Sequence, residues 1–386
     1  MRLGKIIAIA FGFQLMMNIT RPLVTLFAMS LGIGTFEIGM ITATYALFPL
    51  IFAIPIGKAA DVIGDRYPVL IGISGMILGT LLPYLYPSVG SLYLSQGLIG
   101  ISHIFISISL QNLIGNMSTA NNRDHHFGLF SMAVALSGIV GPLLGGLLAD
   151  YRSYAFAFAF AAVVGIAPMG LAFLIPSMKR AKQPEEEEDK GTALDLLRIP
   201  LLRKALASSA LVLYSRDIYV AYFPLFASAW GMSASTIGLI IGVQGLTMVM
   251  VRLFLSRLTG RFGRELTLLI SILLAGVSFL LVPLSTNTLL CALISALMGV
   301  GLGCGQPLSM TTTYNASPKS RTGEVLGLRM ASNRLSQMIA PLFFGLVGAW
   351  TGIIAVFYVS GAFLIGGAFL ASSLPGRRPR EQVKDI

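Results

Sequence analysis

The chain has 386 residues, of which 55% are hydrophobic and only 11% are charged, and its mean hydropathy is +0.81. Soluble domains carry about 25% charged residues, so this composition excludes a soluble globular protein. The formal net charge of +11 would suit a nucleic acid as partner, but the basic residues flank apolar segments, which indicates a lipid bilayer and no nucleic acid.

Apolar segments long enough to cross a bilayer recur along the whole chain, since a spanning helix needs about 20 residues. The segments are continuously apolar rather than alternating, so they predict helices and exclude a transmembrane β-barrel. The predicted fold class is an all-α integral membrane protein with twelve transmembrane helices in two pseudo-symmetric six-helix bundles. The helices are predicted at residues 6–30, 38–57, 68–87, 91–115, 127–149, 154–176, 204–229, 236–256, 266–284, 288–314, 325–350 and 353–374.

The chain divides at a polar segment between the sixth and seventh predicted helices. We predict an N-terminal six-helix bundle at residues 1–176, a cytoplasmic linker at 177–203, a C-terminal six-helix bundle at 204–374 and a cytoplasmic tail at 375–386. Five arginines lie within predicted helices, Arg152 lies in a loop on the side opposite the linker, and all other Lys and Arg residues fall on the linker side. The positive-inside rule therefore predicts a multi-pass protein of the cell inner (cytoplasmic) membrane with both termini in the cytoplasm.

The first and fourth predicted helices each carry a row of polar side chains at a spacing of three or four residues. Residues at this spacing share one helix face. A polar face within a bilayer must line a cavity, because polar groups are costly against lipid. The rows are Gln14, Asn18, Arg21 and Thr25 on the first helix and Gln96, Gly100, His103, Ser107 and Gln111 on the fourth.

The loop between the second and third predicted helices has the spacing G-x-x-x-D-x-x-G-x-R, formed by Gly57, Asp61, Gly64 and Arg66. Glycines permit a tight turn, and the carboxylate can face a helix N-terminus or a cation at the cytoplasmic edge. The corresponding loop of the second half keeps the turn but has Gly260 in place of the acid. Only one half therefore carries the acidic side chain.

The fifth predicted helix contains small residues every four positions, and this run of small residues ends in Gly141, Pro142, Gly145 and Gly146. Small residues at this spacing let neighbouring helices approach closely, and a proline removes one backbone hydrogen bond, which permits a bend. This segment is therefore predicted to pack tightly against another helix.

The seventh and eleventh predicted helices place Arg216, Asp217 and Arg334 near the middle of the bilayer. A charge there costs at least ~2.5 kcal/mol, so each is a candidate functional residue. We interpret Asp217 as a proton-linked carboxylate, held ionised by a neighbouring arginine and protonated in exchange with substrate. The alternative is a permanent structural ion pair. His103 either takes part in proton coupling or is a hydrogen-bonded packing residue.

One offset of 199 residues relates the two halves without a gap, which indicates an internal repeat in parallel orientation. Such repeats place a substrate site between two halves that rock against each other. Asp217 falls on Asn18 of the first half, so its charge is an addition to one copy. The matched pairs include Gly32 with Gly231, Gly39 with Gly238, Gly64 with Gly263 and Pro142 with Pro341.

These motifs resemble those of the major facilitator superfamily. The loop resembles the superfamily's cytoplasmic signature, which implies that Gly57, Asp61, Gly64 and Arg66 latch one conformational state. We add Arg329 to this latch, because it lies near the cytoplasmic end of its helix and can pair with an acid there.

The fifth helix resembles the antiporter motif of the drug/proton efflux branch, which goes with export; in this chain the motif comprises Gly141, Pro142, Gly145 and Gly146. The fourth helix departs from that branch, because Tyr93 stands where an arginine implicated in proton handling is usual. The departure puts proton coupling by that position in doubt.

The polar rows, the intramembrane charges and aromatic side chains of the cavity-lining helices together give a predicted substrate site. Three arginines against one aspartate leave its centre positive, which favours an anionic or zwitterionic molecule over a lipophilic cation. The predicted substrate-binding residues are Gln14, Asn18, Arg21, Tyr45, His103, Ser107, Arg216, Tyr219 and Arg334.

The sequence therefore predicts a proton-coupled secondary active transporter, an antiporter that exports small organic molecules by alternating access. The alternatives are a dedicated exporter of an anionic or zwitterionic metabolite, such as a siderophore or metallophore, and an uptake symporter for an organic anion. No nucleotide-binding signature appears in the sequence, so ATP is not expected to drive it. An enzyme or receptor is not expected, nor a metal site or cofactor; the expected partners are substrate, protons and lipid, and the expected state is a monomer.

Overall fold

A computed structural model describes residues 3–119, 123–175, 193–316 and 322–373, and most of these residues are helical. Two short 3-10 turns, Ala193–Arg198 and Val282–Leu284, accompany the helices. The helices are α1 Leu3–Ser30, α2 Thr35–Ile63, α3 Arg66–Leu85, α4 Val89–Met117, α5 Arg123–Tyr151, α6 Tyr154–Val164, α7 Ile166–Ala172, α8 Pro200–Ala229, α9 Ala234–Leu253, α10 Leu255–Phe262, α11 Arg264–Leu281, α12 Thr288–Ala316, α13 Thr322–Thr351 and α14 Ile353–Ser373.

Nine segments within these ranges are long and apolar enough to cross a membrane, with α6 and α7 forming one of them. The helices α8 and α13 are not among the nine, and they are the helices that carry Arg216, Asp217, Arg329 and Arg334. With α8, α13 and the shorter apolar segment of α14, the described part of the chain supplies the twelve crossings that the sequence predicts. The all-α, two-bundle fold class is confirmed.

Two of the predicted helices are interrupted. The sixth breaks between α6 and α7 at Gly165, because Pro168 has no amide hydrogen to donate to Val164 and its ring crowds that carbonyl. The eighth breaks at Phe254, where α9 ends and the short α10 begins. The seventh begins earlier than predicted, since Pro200 occupies the first turn of α8, where proline is favoured.

The internal repeat is visible in the backbone. Gly32 and Gly231 adopt φ angles of 78° and 77° after α1 and α8, and Gly64 and Gly263 adopt 79° and 78° before α3 and α11. Backbone at positive φ favours glycine, because a Cβ there would crowd the adjacent main-chain carbonyl. Both pairs are separated by the 199 residues of the predicted offset, so corresponding turns end corresponding helices in the two halves.

The two halves meet mainly through α5 against α9, α2 against α13 and α1 against α8. Glycines allow the closest approaches. Gly238 of α9 lies against the carbonyl of Pro142, and Gly146 of α5 lies against the backbone of Ala234, so that an added Cβ would overlap either neighbour. Gly39 of α2 faces the carbonyl of Pro341 in the same way.

These contacts lie at one end of the bundle, which carries the α1–α2 and α8–α9 turns and is called here the closed end. The opposite end, where α1 and α8 begin, is called the terminal end. The antiporter-motif residues divide between two roles: Pro142 and Gly146 meet α9 across the halves, whereas Gly141 and Gly145 pack on Asn18 and Ile19 of α1 within the first half.

The close approach at Gly238 gives a test of this interface. A Gly238→Val substitution should separate α5 from α9, because the added side chain meets the Pro142 carbonyl and interaxial distances follow the side chains at the contact. We expect the distance between spin labels at Leu147 and Leu239, measured by pulsed electron paramagnetic resonance, to lengthen by ~2 Å or more.

Gly128→Val is the matched control, because Gly128 of α5 has open space around its Cα and the distance should not change. An unaltered label distance in Gly238→Val would show that this glycine does not set the spacing of the closed end.

Candidate functional site

A cavity of about 280 Å³ lies between the two halves, toward the terminal end. It is bordered by α1, α2, α4 and α5 of the first half and by α8 and α13 of the second. Of the predicted substrate-binding residues, those that line it are Gln14, Asn18, Arg21, Tyr45, His103, Arg216 and Arg334, and Asp217 and Arg329 line it as well.

The floor of the cavity is an ion pair between Arg21 of α1 and Asp217 of α8, which joins the two halves. Asp217 is 5% exposed and Arg21 is 20% exposed, so the pair is largely shielded from solvent. The second carboxylate oxygen of Asp217 accepts a hydrogen bond from Gln337 Nε2 at 2.6 Å. Both oxygens of the buried carboxylate are therefore satisfied, as a buried charge requires.

Gln337 extends this network to a second arginine. Its side-chain oxygen accepts a hydrogen bond from Arg334 Nη1 at 3.1 Å, so Arg21, Asp217, Gln337 and Arg334 form one chain of contacts. The sequence prediction did not include Gln337. Its position, four residues after Asn333 on α13, is the signal that could have identified it.

On the closed side of the ion pair lies a void of about 20 Å³, also bordered by Val24 and Ala221. That volume holds about one water molecule. Just beyond it, Thr25 Oγ1 donates to the Ala221 carbonyl at 2.7 Å, again between the halves. The Arg21–Asp217 pair thus separates the cavity from the closed end.

His103 lies in the wall of the cavity among polar and aromatic neighbours. Its Nε2 is 3.4 Å from both the Gln14 amide nitrogen and Ser107 Oγ. Its ring lies 5.8 Å from that of Phe13 and 6.1 Å from that of Tyr45. Its Nδ1 is buried and has no hydrogen-bond partner within the described part of the chain, so the ring keeps one unused polar atom.

Arg216 borders the same cavity and points across to α5. A Cβ added at Gly138 of α5 would lie 3.7 Å from Arg216 Nη2. None of the residues that the structure describes forms an ion pair or hydrogen bond with Arg216. Arg329 differs, because its Nη2 donates to Gln306 Oε1 at 2.9 Å. The cavity therefore presents one arginine held by a carboxylate, two held by amides, and Arg216 with its guanidinium available.

Tyr219 and Ser107 do not border this cavity. Tyr219 is fully buried in the core of the second half, where its hydroxyl bonds to Ser295 and its ring stacks on Phe223 at 4.8 Å. Asp217 occupies the cavity face of α8. Tyr219 lies two positions later, and a side chain at that spacing points to a different face of the helix. Ser107 reaches the site only through His103.

The predicted latch is described only in part. Gly64 forms the left-handed turn, and Arg66 Nε is buried without a hydrogen-bond partner among the described residues. Gly57 and Asp61 lie in the helical part of α2, but their surroundings lie outside the side chains that the structure describes. The predicted pairing of Arg329 with an acid at the cytoplasmic edge, either Asp61 or Glu324, therefore stays a prediction.

Asp150, at the end of α5, is a contact that the sequence did not suggest. Its two oxygens accept hydrogen bonds from the backbone amides of Ala234 at 3.0 Å and Ser235 at 2.7 Å, at the first turn of α9. A carboxylate at a helix N-terminus satisfies free amides and interacts favourably with the helix dipole. Asp150 thus clamps the two halves together at the closed end.

Comparison with known proteins agrees with this architecture. The sequence profile of the Major Facilitator Superfamily matches residues 6–214 and again residues 205–386. The chain is 24% identical over 375 residues to the class H tetracycline resistance protein of Pasteurella multocida, covering 95% of this chain and 91% of that protein. It is 24% identical over 317 residues to multidrug resistance protein 1 of Bacillus subtilis, covering 80% of each.

The fold is also similar to a solved nucleoside transporter, with a TM-score of 0.82 at 12% identity over 97% of this chain and all of that one. The two profile matches together cover nearly the entire sequence, one on each half of the repeat. This chain therefore belongs to the Major Facilitator Superfamily and is a multi-pass membrane transporter.

Proposed function

We propose that the protein is a proton-coupled secondary transporter that exports small organic molecules by alternating access, with Asp217 as the proton-carrying group. The observation that carries the proposal is the buried Arg21–Asp217 ion pair between the halves, at the floor of the central cavity. A transporter of this kind must couple a chemical event to the separation of its halves. Protonation of Asp217 is such an event, because it removes the charge that holds Arg21.

The direction of opening follows from the charge distribution. Nearly all lysines and arginines in loops lie on the linker side, which is the side of the terminal end. The positive-inside rule therefore favours the terminal end as the cytoplasmic end. On that orientation the central cavity lies on the cytoplasmic side of the ion pair, and the closed end with Asp150 and Gly238 faces outward. The structure then corresponds to a cytoplasm-facing conformation.

Export is supported by two independent features. The tetracycline and multidrug resistance proteins resemble this chain over most of its length, and export of an organic compound would provide the resistance that their names state. The antiporter motif in α5 contributes Pro142 and Gly146 to the α5–α9 contact, which must break when the closed end opens. Both features favour the efflux branch over an uptake carrier.

The alternative role of Asp217, a permanent structural ion pair, has a distinct energetic consequence. Removing one member of a buried pair leaves the other charge uncompensated, at a cost of about 3–5 kcal/mol, whereas removing both is often close to neutral. A structural pair can therefore be replaced by two neutral side chains, but a proton carrier cannot.

The charges that border the cavity favour a second candidate function, the transport of an organic anion. Four arginines and one aspartate border it, so the cavity is strongly positive when His103 is neutral. Protonation of Asp217 releases Arg21 to bind an anion, which links proton binding to anion binding. That linkage makes proton and anion move together, as in symport, whereas a cationic substrate would compete with the proton for Asp217.

The role of Asp217 is tested with purified protein in liposomes under an imposed pH gradient, screening cationic dyes and carboxylated compounds. Asp217→Asn should reduce gradient-driven transport roughly tenfold or more. Breaking a buried pair costs about 3–5 kcal/mol, and a tenfold change in rate corresponds to only about 1.4 kcal/mol. Glu265→Gln is the matched control, since Glu265 is exposed and pairs with Lys204 away from the cavity.

The double variant Arg21→Gln with Asp217→Asn separates the two roles of the pair. If Asp217 carries the proton, the double variant transports without dependence on the pH gradient. Restored gradient dependence would instead identify a structural ion pair and rule out the coupling role.

The sign of the substrate charge is tested at Arg216. In Arg216→Gln, the KM for a carboxylated substrate should rise roughly ten- to hundredfold, because a hydrogen bond to a charged group contributes about 1.5–3 kcal/mol. Transport of a cationic dye should fall less or not at all. Arg264→Gln, on the exposed first turn of α11, controls for loss of a positive charge elsewhere. An equal loss for both substrate classes would contradict an anion-binding role for Arg216.

A further inference from the structure

A second cavity, of about 200 Å³, lies between α5 and α9 and is called here the lateral slot. It shares Arg216 and Val134 with the central cavity, so the two spaces adjoin. Arg252 of α9 also borders it. The mechanism proposed above makes no use of this space.

The slot begins where the α5–α9 contact ends. Toward the closed end the two helices touch, since a Cβ on Gly242 would lie 3.1 Å from the Ile139 carbonyl oxygen and one on Gly245 would lie 3.2 Å from that of Gly138. Gly138 and Gly245 also border the slot, so they mark its edge toward the closed end. Toward the terminal end the helices diverge and leave the cavity between the two halves.

The walls of the slot are apolar and its charges are all positive. Phe130 and Val134 of α5 face Met248 and Val249 of α9, whereas the charged residues that border it are Arg216 and Arg252, without an acid. A flexible methionine beside aromatic and branched side chains suits a hydrocarbon chain of variable shape.

Arg252 is held in place with part of its guanidinium free. Its Nε donates to the Gly303 carbonyl of α12 at 3.1 Å, and its terminal nitrogens have no partner among the residues that the structure describes. Arg216 likewise lacks a partner in that part of the chain. Planar guanidinium groups bind carboxylate and phosphate through paired hydrogen bonds, so both arginines can accept an anionic head group.

The slot reaches the surface of the protein at Ser131, a residue that borders it and is exposed. Apolar side chains on the outer faces of α5 and α9 are exposed as well, among them Met132 at 63% and Leu246 at 47%, and in a membrane-spanning helix such surfaces face acyl chains. Arg252 lies about 27 Å along α9 from its first residue, near the level of the head groups, and Arg216 lies about 20 Å from the end of α8. The two guanidinium groups are therefore staggered in depth by several ångströms.

We infer that the lateral slot is a passage between the central cavity and the cytoplasmic leaflet for an anionic amphiphile, a molecule with one carboxylate or phosphate head group and a hydrocarbon tail. Arg252 binds the head group at the membrane surface and Arg216 receives it at the cavity, while the tail occupies the apolar slot between α5 and α9. The inference rests on the proposed transport function in its anion-transporting form. A small water-soluble anion gains nothing from the apolar walls and reaches the central cavity directly.

The passage is tested by photo-crosslinking in proteoliposomes with a long-chain fatty acid that carries a diazirine in its tail. The label should appear on peptides of α5 and α9 that contain Ser131 and Val249. In Arg252→Gln the yield at these peptides should fall roughly tenfold, as expected for loss of a charge-assisted hydrogen bond. In Arg252→Lys it should largely recover, and Arg257→Gln, on the exposed α10, should leave it unchanged.

A second variant blocks the slot without touching either arginine. Ala135→Phe places a ring in the space beside α9 and should abolish labelling, while pH-gradient-driven transport of a short water-soluble carboxylate continues in the same vesicles. Labelling spread evenly over exposed helices, or unaffected by Arg252→Gln and Ala135→Phe, would overturn the passage. Loss of transport for both the fatty acid and the short carboxylate in Ala135→Phe would also overturn it, because the slot would then serve no separate route.

The crosslinking readout does not depend on transport, so the two proposals fail separately. Site-specific labelling together with transport that ignores the pH gradient would refute proton coupling and leave the passage supported. Gradient-driven transport of anions with no labelling of the slot would refute the passage and leave the proposed function in place.

Discussion

Arg21 and Asp217 meet between the two halves with little solvent around either side chain, and neither charge is stable alone at that depth. One half supplies the cation and the other supplies the anion. The neighbouring contacts are arranged around this requirement: Gln337 satisfies the remaining carboxylate oxygen, and Tyr45 places its ring 5.6 Å from the guanidinium carbon of Arg21. Any motion that parts the halves here must first supply each charge with another partner.

The repeat supplies a symmetric frame, and the chemistry lies where the symmetry fails. Asn18 in the first half donates to Ser137 within its own bundle. Its counterpart Asp217 bonds instead to Arg21 of the other half and to Gln337. The scaffold thus holds the same helix positions in both halves, while single substitutions turn an internal contact into one between the halves. A transporter built in this way can change the contacts between its halves without altering its fold.

The fold and much of the cavity follow from local sequence signals. Helical spacing placed Gln14, Asn18, Arg21 and His103 on cavity faces, and the 199-residue offset anticipated matched left-handed turns. Sequence could not place Tyr219, because a tyrosine in a membrane helix suits either a cavity or a core that offers its hydroxyl a partner, as Ser295 does. Nor could it reveal Asp150, whose partners are main-chain amides 84 and 85 residues away, and amides leave no signature in the sequence.

The clamp formed by Asp150 has an evolutionary consequence. Two of its donors are backbone amides of α9, so replacing the side chains of Ala234 or Ser235 leaves both amides in place, and only proline would delete an amide hydrogen. One partner of the contact is therefore insensitive to sequence drift, and the whole mutational burden falls on a single carboxylate. Variation among descendants of this chain can change the side chains of Ala234 and Ser235 without removing the two amides, so this contact persists as long as Asp150 is retained.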